Sequence, residues 1–265
     1  MIVHNFDPVL IDFGILQIRW YSLAYIFGIL AGWMYGKVII GREILNKNQN
    51  DYSKNFDDLI GYIIIGVILG GRLGYVIFYD PIFYLENISE IFKLWNGGMS
   101  FHGGFIGVII ATYIFSNFKK LNYKIYFDTI CCVAPIGLFL GRIANFINGE
   151  LYGIPTEKPW GIIFPKIDNV MRHPSQIYEA LLEGFVLFVI LNFLTTKKIL
   201  GNGLISSLFL ILYGTFRIIS EQFREPDRHV GYIFEYLSMG SLLSIVMIVF
   251  GLLFLSKIIF NEKNR

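Results

Sequence analysis

The chain has 265 residues, of which 55% are hydrophobic, 17% aromatic and only 16% charged, with a net charge of +2 and a mean hydropathy of +0.58. A soluble domain is about 45–50% apolar even with glycine counted, and roughly 25% charged, so a soluble fold of this length could not bury so much apolar surface. The same balance excludes disorder, and the small net charge argues against a nucleic-acid partner.

What remains is an all-α, polytopic membrane protein. Its first stretch, before Arg19, has no basic start and carries Asp7 and Asp12, so it does not read as a cleavable signal peptide. A helix needs about 20 mostly apolar residues to cross a bilayer. Such runs predict seven spans, at roughly 20–40, 58–79, 101–118, 126–147, 175–194, 203–221 and 234–258. Between the second and third, residues 82–95 are amphipathic and too short to span. With the glycine-rich run Asn96 to Gly104 they predict an interfacial or re-entrant segment over 82–100. Cys131 and Cys132 are adjacent within an apolar run and read as small buried hydrophobes. No paired metal-ligand spacing is present, and neither a metal nor a diffusible cofactor is expected. Residues 148–174 form a short outer head loop.

Basic residues set the expected orientation. Arg42, Lys47, Lys54, Lys119, Lys120, Lys124, Lys197, Lys198, Lys257, Lys263 and Arg265 fall in one set of connections. Only Arg19, Lys93, Lys158, Lys166, Arg172, Arg224 and Arg228 fall in the other. The bias places the N-terminus outside and the C-terminus in the cytoplasm, with Lys37 snorkelling at the inner end of the first span.

Arg72, Arg142 and Arg217 remain inside the second, fourth and sixth spans, near their outer ends. Arginine at the bilayer centre costs about 2.5–3.5 kcal/mol on insertion scales, so such residues face a polar cavity. His4, His102, His173 and His229 map to the same side, as do Glu150, Glu179, Glu221, Asn145, Asn148, Tyr21 and Tyr25. Tyr213, Arg217 and Glu221 are spaced by four and share a helix face. Guanidinium forks suit phosphate, and a site open to lipid would take it from a phospholipid headgroup. His102 has an imidazole suited to act as a general base near neutral pH. No nucleophile elbow or zinc motif is visible. These residues leave open whether the site belongs to an enzyme or to a transporter or flippase for anionic lipids or organophosphates.

The run Gly141-Arg142-Ile143-Ala144-Asn145-Phe146-Ile147-Asn148-Gly149-Glu150-Leu151-Tyr152-Gly153 resembles the signature of the bacterial prolipoprotein diacylglyceryl transferase family. Further blocks agree in the family's order: Trp20-Tyr21, Gly70 to Tyr75, Asn96 to Gly104, Arg172 to Gln176 with Tyr178-Glu179, and Phe216-Arg217 through Glu221 to Pro226-Asp227. The resemblance implies transfer of the diacylglyceryl group of phosphatidylglycerol to the lipobox cysteine thiol of a prolipoprotein. A thioether forms, glycerol 1-phosphate leaves, and no cofactor is needed. It implies a multi-pass protein of the bacterial inner membrane with its site toward the outer leaflet.

By the same resemblance, Arg142 holds the headgroup, Asn145 and Glu150 orient it, and Arg217 neutralises charge on the departing phosphate. Glu221 would position Arg217 through an ion pair, and His102 would deprotonate the thiol. Tyr21, Tyr25, Gly153, Arg72, Tyr213 and His173 complete the expected binding residues. The outer loop Leu151 to Arg172 is shorter than is usual in the family.

Overall fold

A computed structural model describes residues 2–14, 17–42, 49–196, 200–226, 232–233 and 237–263. Lys47, Lys197, Lys198, Asp227, Arg228, His229 and Arg265 therefore lie outside the described residues. The described chain is mostly helical and divides into two compact units, Met1–Gly36 with Asp128–Arg265, and Lys37–Phe127. Six helical stretches are long and apolar enough to cross a membrane: Trp20–Ile40, Tyr52–Phe78, Tyr123–Asn148, Ser175–Thr195, Leu204–Glu221 and Met239–Lys263. The expected third span is also a helix, α4 (Phe101–Phe118), but its apolar part, His102–Phe118, is shorter than the other six. The last helix, α9, begins at Met239 rather than near 234, because Leu237–Ser238 is extended and pairs with Tyr232–Ile233.

In the unit Lys37–Phe127, α2 (Gln49–Phe78) packs on α4 through glycines at helical spacing. Gly66, Gly70 and Gly74 face Gly103 and Gly107 so closely that a Cβ at Gly70 would overlap the Gly103 carbonyl oxygen. A Cβ at Gly107 would overlap that of Gly66. Small residues let helix backbones meet where no hydrophobic force distinguishes helix from lipid. The Ser100 side chain accepts from Gly103 N at 3.2 Å and caps α4, and Ser100 N donates to Gly71 O at 2.8 Å. The segment between these helices is α3 (Pro81–Glu86) followed by short 3₁₀ turns at Ile88–Phe92 and Leu94–Asn96. Lys37, expected to snorkel, meets Asp57 at 2.9 Å.

The other unit holds α5 (Tyr123–Asn148), whose part from Asp128 onward runs through its centre. Gly28 of α1 (Trp20–Ile40) approaches Gly137 of α5, where an added Cβ would lie 3.2 Å from the Gly137 Cα. The span Ser175–Thr195 is α6 (Ser175–Glu179), a wider π-helical turn (Ala180–Val186) and α7 (Leu187–Thr195). Gly184 in that turn lies against the Phe139 backbone of α5. Gly214 and Gly251 bring α8 (Leu204–Glu221) and α9 together in the same way. The fully buried Asp128 of α5 caps α8: its carboxylate accepts from Gly201 N, Gly203 N and Ser206 N at 2.8, 3.1 and 2.9 Å. These amides at the start of a helix have no intrahelical partner, so an anionic cap is favourable there. Cys132 is buried and Cys131 half-buried, and neither forms a disulfide.

At the other end of α5 sits a small sheet in which Ile162–Ile163 pairs parallel with Ile2–Val3 and antiparallel with Met171–Arg172. Two of its three strands fall within the short head loop expected over 148–174.

Candidate active site

The signature run forms the end of α5 and the turn beyond it. Gly149 N donates to Phe146 O at 3.0 Å and Glu150 N to Asn145 O at 3.1 Å. This pairing is a Schellman cap, whose left-handed residue is the glycine (φ 70°). The turn folds Glu150 back over the helix end, so its Oε1 accepts from Asn145 Nδ2 at 2.8 Å and Asn148 Nδ2 at 3.2 Å. The Ser175-Gln176 pair fixes the same turn through its backbone. Ser175 Oγ donates to Leu151 O at 2.9 Å and the fully buried Gln176 Nε2 to Glu150 O at 2.6 Å. His4 closes the turn from the other side, with Nε2 2.7 Å from Phe146 O.

Gly153 pairs with Arg224 in an isolated bridge, and its amide donates to His173 O at 3.0 Å. A Cβ there would overlap the carbonyl oxygens of His173 and Phe223, so only glycine fits. Arg172 holds the arrangement. It donates to Gly153 O at 3.1 Å, pairs with Asp168 at 2.6 Å and Glu225 at 3.2 Å, and lies over the Tyr152 ring. The Asp168 hydrogen bonds raise its pKa further above its ordinary value. His173 Nδ1 is 3.0 Å from the Tyr178 hydroxyl, which accepts from Trp160 Nε1 at 2.7 Å. The Tyr178 hydroxyl keeps its own proton to donate to Nδ1 when the ring is neutral with its hydrogen on Nε2. Burial, with Lys158 nearby, lowers the His173 pKa below 6.5 and favours that neutral form.

Beside this turn lies a cluster of ionised side chains from three helices. Arg142 Nε meets Glu179 Oε2 at 3.0 Å, and its Nη2 meets Glu183 Oε2 at 3.3 Å. Arg217 Nη1 meets Glu179 Oε1 at 2.9 Å and Glu183 Oε1 at 3.3 Å, while its Nη2 meets Glu221 Oε2 at 2.6 Å. Arg224 Nη1 reaches Glu179 Oε1 at 3.5 Å. Glu179 and Glu183 are fully buried, as is Ser220, whose hydroxyl donates to Glu183 Oε1 at 3.0 Å. The face shared by Tyr213, Arg217 and Glu221 is turned inward, with Tyr213 and Arg217 both buried. The hydroxyls of Tyr21 and Tyr25 are 3.2 Å apart, and Tyr25 lies within electrostatic reach of Arg142 and Glu150.

Arg142, Arg217, Glu221, Tyr213, Asn145, Glu150, Gly153, Tyr21, Tyr25 and His173 thus all belong to one compact unit. Arg72 and His102 belong to the other. The buried Arg72 donates to five backbone carbonyls, those of Ile91, Gly97, Gly98, Glu90 and Lys93, and lies over the Tyr84 ring. Gly97 and Gly98, at φ 80° and 81°, turn two of those carbonyls toward it. Arg72 is thereby the clamp of the segment 82–100. His102 stands exposed in the first turn of α4.

The span positions predict guanidinium groups lining a cavity; in the fold Arg142, Arg217 and Arg224 face the carboxylates of Glu179, Glu183 and Glu221, and Arg72 faces backbone carbonyls. Glu183 is absent from the expected set, and Glu179 and Arg224 carried no assigned role there. The available signal was two glutamates four residues apart in an apolar span, a spacing that puts both on one side of the helix.

The fold and this site define a class: a multi-helix membrane protein with a buried, charge-balanced arginine–glutamate centre beside a rigid glycine turn. Residues 8–257 match the model of the family described as prolipoprotein diacylglyceryl transferase. Over 255 residues the chain is 50% identical to the phosphatidylglycerol–prolipoprotein diacylglyceryl transferase of Rickettsia bellii, covering 96% of this chain and 95% of that protein. The protein of that name from Rickettsia felis is 51% identical over 249 residues (93% and 95%), and that from Rhodopseudomonas palustris 49% over 252 (94% and 88%). The chain belongs to the prolipoprotein diacylglyceryl transferase family.

Proposed function

We propose that the chain transfers the diacylglyceryl group of phosphatidylglycerol to the lipobox cysteine thiol of a prolipoprotein; the names of its relatives support the lipid donor and the prolipoprotein acceptor. The sulfur attacks the terminal diacylglyceryl carbon, a C–S bond forms, and the C–O bond to phosphate breaks. Glycerol 1-phosphate leaves and the thiol proton passes to a base. Lipid supplies the electrophile and peptide the nucleophile, so no covalent intermediate on the enzyme is required. The observation that carries the reading is the convergence of the signature arginine, Arg142, and the distant Arg217 on one carboxylate, Glu179, at 3.0 and 2.9 Å.

In this reading Arg142 binds the phosphodiester, with Asn145 and Glu150 orienting the glycerol and Tyr21 and Tyr25 closing the lipid side. Arg217 neutralises charge growing on the leaving phosphate, work worth about 2.7–4 kcal/mol for one well-placed donor. Glu221 and Tyr213 aim Arg217, while Gly153 and His173 hold the turn that carries Glu150. His102 takes the thiol proton, and Arg72 shapes the segment preceding it. Seven spans, with α4 the shortest, an outer N-terminus and an inner-membrane location with the site toward the outer leaflet complete the proposal. They rest on the basic-residue bias. An anionic-lipid carrier is the rival from another class, and family membership disfavours it. Purified protein given labelled phosphatidylglycerol and a lipobox peptide separates the two. Label bonded to the peptide supports transfer, and label moved without a new bond supports carriage.

A further inference from the structure

The arginines that the proposed reading assigns to phosphate are already engaged. Arg142, Arg217 and Arg224 carry three positive charges, and Glu179, Glu183 and Glu221 carry three negative ones. Each guanidinium of the central pair touches both Glu179 and Glu183. Glu179 is the tighter partner, at 2.9–3.0 Å, whereas Glu183 stands 3.3 Å from each arginine. Glu183 lies in the π-helical turn, whose wider winding often marks functional positions. Gly184 presses that turn against α5, which brings Glu183 to Arg142. Ser220 Oγ, one turn of α8 from Arg217, holds the other oxygen at 3.0 Å. Glu183 is fully buried, and the two arginines and the hydroxyl offset its desolvation.

We infer that Glu183 is a positioning residue that sets the charge balance of the phosphate site and thereby the release of product. The inference rests on the transfer reading above. With Glu183 ionised the empty centre is neutral, and a monoanionic phosphodiester is held by hydrogen-bond geometry more than by net charge. After transfer the oxygen that takes the C–O bonding pair leaves the phosphate as a monoester dianion. The two carboxylates then repel it from the forks they share. A centre with one carboxylate fewer would carry a net positive charge and grip the product.

The test is direct binding of glycerol 1-phosphate to purified protein by calorimetry, run beside the transfer assay. Glu183→Gln keeps the shape and removes the charge. Its affinity for glycerol 1-phosphate is expected to rise about tenfold, the scale of one unpaired charge a few ångströms away after screening. KM for phosphatidylglycerol and kcat are expected to fall together. A side chain that only packed the helices would instead raise KM or leave it unchanged while kcat fell. Glu183→Asp retains the charge and is expected to bind product within about twofold of the parent. Should Glu183→Gln not be recovered folded, Glu221→Gln makes the same change in charge at the edge of the cluster and is expected to tighten product binding too. Unchanged or weaker product binding in the neutralised variant overturns the inference. Failure of the parent itself to lipidate the peptide overturns the transfer reading instead, and the binding measurement stands apart from that result.

Discussion

Gly153→Ala is the smallest change with the largest expected consequence. Its added methyl has no room: the carbonyl oxygens of His173 and Phe223 both lie within contact of the new Cβ, and backbone oxygens cannot swing aside as a side-chain tip would. Forcing a methyl into a packed site costs about 1–3 kcal/mol. Here it also prises apart two hydrogen bonds, Gly153 N to His173 O and Ile154 N to Phe223 O, each 3.0 Å. Leaving such buried groups unpaired costs about 1–3 kcal/mol apiece, so a local loss of about 3 kcal/mol is a conservative total. At about 1.4 kcal/mol per factor of ten, the open form of this turn becomes about a hundredfold more populated. Hydrogen exchange read by mass spectrometry over residues 150–156 and 222–226 is expected to accelerate by about that factor, while the spans stay protected. Transfer is expected to drop at least about tenfold, because Arg224, bridged to Gly153, loses its register against Glu179. Parental exchange together with parental transfer would refute the steric reasoning.

Three further outcomes follow from the same geometry. Arg217→Lys preserves the charge but replaces a planar fork that meets three carboxylates with a point charge. Initial-rate assays are expected to show a loss of about 10²–10³ in kcat, and a loss under threefold would remove Arg217 from the reacting phosphate. His102→Gln should lower turnover most near neutral pH and recover as pH approaches the thiol's own pKa near 8.5; an unaltered pH–rate profile would assign the base elsewhere. For His173, the folded state favours the neutral ring, so its stabilising effect is present above the ordinary value of 6.5 and lost as pH falls through the lowered folded value. Ring-proton NMR should place the midpoint below 6.5, with exchange protection around residue 173 declining as the pH falls past it. A midpoint above 6.5 would contradict the assigned environment.

Much of this was legible in the sequence because lipid punishes charge. Arg142 and Arg217 stood out against apolar spans, and the spacing of Tyr213, Arg217 and Glu221 correctly placed a hydroxyl, a guanidinium and a carboxylate on one helix face. The expected ion pair between Arg217 and Glu221 is present at 2.6 Å. Most helix bounds followed from apolar runs, but α2 starts at Gln49, well before the expected 58, and α9 runs Met239–Lys263 rather than 234–258, the residues just before it pairing as strand. Partnership was not legible. Nothing in the sequence distinguishes Arg72, which spends its donors on the carbonyls of a neighbouring segment, from Arg142, which spends them on carboxylates. Both are arginines within apolar helices, and only the fold brings different acceptors to them. Glu183 and Asp128 were passed over for a related reason. An acid in an apolar run declares that it has a partner but not which one: Asp128 meets the amides of Gly201, Gly203 and Ser206, and Glu183 meets Arg142, Arg217 and Ser220, all distant in the chain.

The central claim is that the paired arginines serve a transfer of lipid to sulfur. Its most direct measurement is mass spectrometry of a lipobox cysteine peptide incubated with phosphatidylglycerol and either the parent protein or Arg142→Ala, both confirmed to be inserted. The parent is expected to add one diacylglyceryl mass to the peptide and release glycerol 1-phosphate in equal amount, and Arg142→Ala to do neither. An unmodified peptide with the parent, or full modification with Arg142→Ala, would contradict the account.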